Sequence, residues 1–221
     1  GGMHLTSIDT GTLARTRIPQ PGVVGADKMA LRADVEQAKL ALAMDIGQLV
    51  LEKMDYNMKT YKEKFSALIS ENEYINESEL SGCDDNQLKD IEDKYRIKLP
   101  ESYKHILKII GNNAGGLIDN KEFDFYYKDI LKMTEEVVSE REEIDAEEDG
   151  DPLVALPDKI FFILGRYEEQ YHFIVANGGE DAEVYYYNFD KDSYEKDFDS
   201  VWEWIFSVVG STTKTLDMLL K

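Results

Sequence analysis

A chain of 221 residues, 43% apolar and with a formal charge of −20, can bury a full core, which excludes disorder of the whole. Three histidines and one cysteine leave little material for metal or nucleophilic chemistry, and the charge disfavours nucleic acid and anionic membranes as partners. No apolar run approaches the roughly 20 residues of a membrane span, the start has no signal-peptide pattern, and a lone cysteine fits a reducing compartment, so the cytoplasm is the expected location.

The acidity is uneven. Residues 1–57 hold six Lys and Arg against seven Asp and Glu, whereas residues 58–221 hold 19 against 38. Two domains are therefore expected: a lead-in with a helical extension over 1–57, and a main domain over 58–221. The lead to residue 25 is rich in Thr, Gly and Pro without apolar period, and reads as extended or disordered. Residues 26–57 then place Leu31, Val35, Ala38, Leu42, Ile46 and Leu49 at steps of three and four, which predicts a helix with one face to be covered, by the main domain or by a second copy in a dimer. Within it, residues 37–55 distantly resemble a short bacterial helical family of putative motility proteins.

A fresh helix is expected over 61–70, and Met58 marks the start of the main domain. After a polar linker, Asp84 and Gln87 stand at capping-box spacing, opening a helix with Leu88, Ile91 and Tyr95 on one face. Pro100 belongs in the first turn of the next helix, which buries Tyr103, Ile106, Leu107 and Ile110 and ends at Gly111, Gly115 and Gly116. Short strands are expected at 117–118 and 122–127, and an acid-rich helix over 129–143. A loop over 144–157 follows, then strands at 159–164, 170–176 and 183–189. The Asn177-Gly178-Gly179 run is a hairpin signal. Ser200 and Glu203 repeat the capping-box spacing before a helix through Trp202, and a last helix covers 212–220. The class is α+β: a mostly antiparallel sheet of five to six strands flanked by N- and C-terminal helices.

Ile91-Glu92, then Leu99-Pro100, Tyr103, Leu107 and the glycine exit at Gly115-Gly116 resemble the SUKH superfamily of bacterial immunity proteins and fungal cell-wall-synthesis regulators. Later segments continue the resemblance in order, to Trp202, so that it covers roughly residues 86–207. The exit Gly111-Asn112-Asn113-Ala114-Gly115-Gly116 is longer than the family's usual Asn-Gly-Gly. The resemblance implies a binding module without catalysis and without cofactor, most often an immunity protein that blocks a toxin; a regulatory or scaffold module is the alternative.

Charge points the same way on its own terms. Between Glu135 and Asp151 ten carboxylates face one guanidinium, Arg141. A nuclease must present Lys and Arg to phosphate, so a carboxylate-rich surface can occupy that site. Expected partner-binding residues are Asp145, Glu147, Glu148, Asp149 and Asp151 of this run, with Glu183, Tyr185 and Tyr187 on the outward face of a strand. Asp190, Asp192 and Glu195 begin like a calcium loop, but the sixth position is Glu195 where glycine is required and the twelfth is Val201. His105 and His172 have no partner at ligand spacing, and Cys83 has no thiolate-stabilising neighbour, so all three are expected to be structural.

Overall fold

The computed structural model describes residues 23–119, 121–147 and 152–219. It divides into two compact units, Gly1–Glu52 and Lys53–Lys221. Helix α1 (Val23–Glu71) has no break at the expected junction, because residues 56–60 contain neither Gly nor Pro and Met58 is itself buried. In the first unit, Leu40, Leu42, Met44, Ile46 and Leu49 of α1 are exposed.

The second unit adds α2 (Asp85–Tyr95), α3 (Glu101–Ile110), α4 (Tyr127–Glu147) and α5 (Val201–Leu219) to five strands, β1 (Phe123–Asp124), β2 (Ile160–Arg166), β3 (Gln170–Val175), β4 (Val184–Asn188) and β5 (Ser193–Phe198). All four strand pairings are antiparallel, in the order β1-β2-β3-β4-β5, a simple meander. The α+β class is as expected. Leu117 and Ile118, expected in a strand, are buried in a turn, and the expected last helix is the continuation of α5.

Local chemistry explains these boundaries. The Asp84 side chain accepts the Gln87 N–H at 2.9 Å while Gln87 Oε1 accepts the Asp84 N–H at 3.0 Å, so the capping box starts α2. Ser200 Oγ accepts the Glu203 N–H in the same way and starts α5. Pro100 is the N-cap residue of α3 rather than part of its first turn, with extended backbone. Glu92 closes the joint between α2 and α3: its carboxylate accepts the Leu99 N–H at 3.0 Å and pairs with Lys98 and Lys104. Those charges hold the Glu92 carboxyl below its usual range although burial opposes them.

The long exit from α3 is tied back to the linker. Ser81 O accepts the N–H groups of Asn112 and Asn113, and Gly115 O accepts that of Asn76. At Gly115, φ is +59°, and a Cβ would lie 2.5 Å from Asn76 O, so glycine is required on both counts. Of the family-motif residues, Ile91, Leu99, Tyr103, Leu107 and Trp202 are buried.

The sheet has two covered faces. Register places Phe161, Leu164, His172, Ile174, Val184 and Tyr186 on one side, where Tyr103 of α3 and Trp204 of α5 pack. Phe162, Gly165, Tyr171, Phe173 and Tyr187 are on the other, toward α4, whose Thr134 Oγ1 accepts the Phe162 N–H at 3.1 Å beside a bulge between Phe162 and Leu164.

Candidate functional site: an acidic cleft beside helix α4

The expected acidic patch is only partly in view. Asp145 and Glu147 belong to the last turn of α4, and Glu148, Asp149 and Asp151 lie outside the described residues. Arg141, the single cation of that run, is buried and forms an ion pair with Asp192 at 2.5 Å. It therefore neutralises Asp192 rather than the acids beside it. Arg141 also donates to Val154 O, while Asp192 accepts the Val154 N–H at 2.6 Å and the Tyr187 hydroxyl at 2.8 Å. The stretch that looks like the start of a calcium loop is in fact the β4–β5 turn with this lock at its centre.

Tyr187 does not face a partner. It is fully buried, because its hydroxyl is the third donor to Asp192 and its ring packs on Phe162 at 5.8 Å. Tyr185, two residues back on the same face, is half-buried, stacks on Phe173 at 5.2 Å and donates to Glu183 at 2.7 Å. Lys196 pairs with Glu183 at 3.4 Å and with Asp199 at 2.6 Å, so this end of the sheet is less acidic than the sequence alone implies.

A second concentration of described acids lies elsewhere. A cleft of about 470 Å³ is lined by Asp124 of β1, by Asp129, Lys132, Met133, Glu136, Val137 and Glu140 of α4, by Glu168 of the β2–β3 turn and by Tyr171 of β3. Five carboxylates thus converge with one ammonium, and Lys132 is already paired with Glu136 at 3.1 Å. Asp124, Glu140 and Glu168 make no ion pair among the described residues. On α4 the spacing 129, 133, 136, 140 is one helical face, which is why these side chains meet. Glu168 is delivered by a turn in which it and Tyr167 both have positive φ, 59° and 55°.

The charges register in the groups between them. Burial pushes the Asp129 carboxyl above its usual range, with Asp124 adding to it against Lys128. The Tyr171 phenol is pushed up to about 12 by burial and by Glu140, Glu168, Asp124 and Glu136. Among the described residues no three acids, histidines or cysteines stand close enough to hold a metal ion.

The remaining titratable candidates, Cys83, His105 and His172, sit in packed surroundings. Cys83 is buried, its thiol pushed up to about 12 by burial and then by Asp84. His105 lies 5.7 Å from the Trp202 ring, and burial, then Lys62 and Lys108, hold its pKa below the ordinary value. His172 Nε2 is 3.1 Å from Asp197, yet burial outweighs that carboxylate and its pKa is also depressed. Both histidines are taken up neutral on folding, so their stability is fully present above the unfolded value of roughly 6.5 and is lost as pH falls through their folded values. The urea midpoint is expected to be lower at about pH 5.5 than at about pH 7.5, and His172→Gln should shrink that difference. An unchanged difference in the variant would remove His172 from the effect.

The architecture around Glu92, the α3 exit and Trp202 has a counterpart in a known family: residues 82–207 match the model of the SMI1 / KNR4 family (SUKH-1). The chain belongs to that family. SUKH proteins act as immunity or regulatory proteins, in general without catalysis, and bind partner proteins such as toxins. The SUKH match begins just before α2 and ends within α5, so it contains every strand of the meander and the whole acidic cleft. No curated protein matches the chain. Among the described residues no helix is long and apolar enough to cross a membrane.

Proposed function

We propose that this protein is a cytoplasmic immunity protein that binds a cognate basic toxin domain, a nuclease being the best fit, through the acidic surface of its second unit, and blocks it without turnover. The observation that carries the reading is the convergence of Asp124, Asp129, Glu136, Glu140 and Glu168 on one cleft, with Arg141 withdrawn into the Asp192 pair. Such a field raises the encounter rate with a basic protein and imitates the charge of a phosphate backbone. Family membership supports a partner-binding role, and charge selects the class of partner.

The test is binding to the purified basic C-terminal domain of a toxin encoded beside this gene. Raising salt from about 0.01 to about 0.15 M shortens the screening length from roughly 30 to roughly 8 Å, and affinity should fall on the order of tenfold, mostly through slower association. Toxin activity returning as the complex is salted apart fits occlusion. Salt-independent binding, or no binding at low salt, sinks the reading.

A regulatory or scaffold module is favoured by one feature, the exposed apolar side chains Leu42, Ile46 and Leu49 on α1, a surface suited to a second protein. If deleting residues 1–52 leaves toxin neutralisation intact, the extension has no part in immunity.

A further inference from the structure

We infer that the cleft beside α4 is an arginine socket: it takes the guanidinium of one partner arginine between Glu140, Glu168 and the hydroxyl of Tyr171. The inference rests on the acidic-surface reading above and narrows it to one side chain and one place. Tyr171 supplies what the acids alone do not. It is 94% buried by a relative exposure of 6%, and its ring is wedged between Phe162 at 5.5 Å, Tyr187 at 6.4 Å and Phe189 at 6.3 Å. Yet its hydroxyl has no hydrogen-bond partner among the described residues. The hydroxyl itself keeps its access to solvent and opens on the cleft among four of its carboxylates, where an incoming donor can displace the water that serves it.

The chemistry selects arginine over lysine. The carboxylates come from β1, α4 and the β2–β3 turn and are too dispersed for one compact ion. A planar guanidinium offers five N–H donors in a fork that reaches separate acceptors, a phenol oxygen included, whereas an ammonium offers three donors at one point. Met133 and Val137, both buried, form an apolar wall for the three-carbon stem. A volume of about 470 Å³ leaves room for one such side chain with its water. The nearby cation, Lys132, is bound to Glu136 and does not fill the site, but its charge opposes an incoming one.

The experiment needs no toxin. The full chain, labelled with ¹³C at its methionine methyls, is titrated with N-acetyl-arginine amide and, separately, with the isosteric but neutral N-acetyl-citrulline amide. The Met133 methyl, identified by its loss in Met133→Leu, should shift saturably with the arginine compound, with a millimolar Kd, and stay still with citrulline. Glu140→Gln with Glu168→Gln should weaken binding by about tenfold, and Tyr171→Phe, which leaves net charge unchanged, by about threefold. Lys132→Gln should tighten it by about threefold, a gain that misfolding cannot imitate. Glu77→Gln with Glu79→Gln, an equal loss of charge on an exposed turn, should leave it unchanged.

A still Met133 methyl, equal shifts with citrulline, or an equal loss in the Glu77 and Glu79 control would overturn the socket. Failure here is distinct from failure of the immunity reading. A toxin that binds equally well to the Glu140/Glu168 variant removes the socket and keeps immunity; arginine binding without toxin binding does the reverse.

Discussion

Trp202→Ala should cost about 4 kcal/mol of folding stability, within the range for emptying a buried tryptophan site. The residue is fully buried and joins three segments of the second unit. Tyr61, on the C-terminal part of α1, stacks on it at 6.0 Å with an interplanar angle of 11°, Phe65 meets it at 6.0 Å, and His105 of α3 at 5.7 Å. Its Nε1 donates to Met58 Sδ at 3.3 Å. Removing the indole therefore leaves a cavity walled by three helices that cannot all collapse into it, and a chain of this size should melt on the order of 10 °C lower. Trp202→Phe keeps most of the ring contacts and should lose less than half as much. Urea unfolding of the full chain measures both, and a loss below about 1 kcal/mol for the alanine variant would mean that the site repacks.

Elements whose cause is local were readable in advance. Asp84 and Gln87 cap α2 because both halves of the box lie within four residues, and the stripe Tyr103, Ile106, Leu107 and Ile110 is buried because its period matches the helix. The residues that carry the family resemblance, Glu92 above all, turn out to hold the α2–α3 joint. β5 was not readable: Ser193-Tyr194-Glu195-Lys196-Asp197-Phe198 is an edge strand whose polar side chains face water, and polarity of that kind reads as loop. Tyr187 was misjudged for a related reason. Alternation gives the face of a side chain but not what packs on that face, and here Asp192 takes its hydroxyl while Phe162, Tyr171 and Phe189 pack on its ring. The cleft escapes a linear reading because its acids come from three segments, and the helical spacing of Asp129, Glu136 and Glu140 marks only the α4 side of it.

Asp192→Ala should cost about 3 kcal/mol, because it strands a buried guanidinium. Arg141, with 9% of its side chain exposed, would keep only Val154 O as an acceptor, and the Val154 N–H and Tyr187 hydroxyl would both lose theirs. Asp192 is held below the usual carboxylate range by Arg141, Val154 N–H and Tyr187 although burial opposes them. Its contribution is thus present above the unfolded value of roughly 3.9 and is lost as pH falls through the lower folded value, a window well separated from that of the histidines. Replacing both partners, Arg141→Leu with Asp192→Leu, should recover part of the loss, since the uncompensated charge goes with its pair. A double-mutant cycle in urea gives the coupling, and additive losses would show that the two side chains act independently. The consequence reaches the acidic surface. The pair fastens Val154, just past the acid run, to the β4–β5 turn, so breaking it should also weaken binding of the proposed basic partner, through the loosened segment rather than through the inward-facing charge that Asp192→Ala removes.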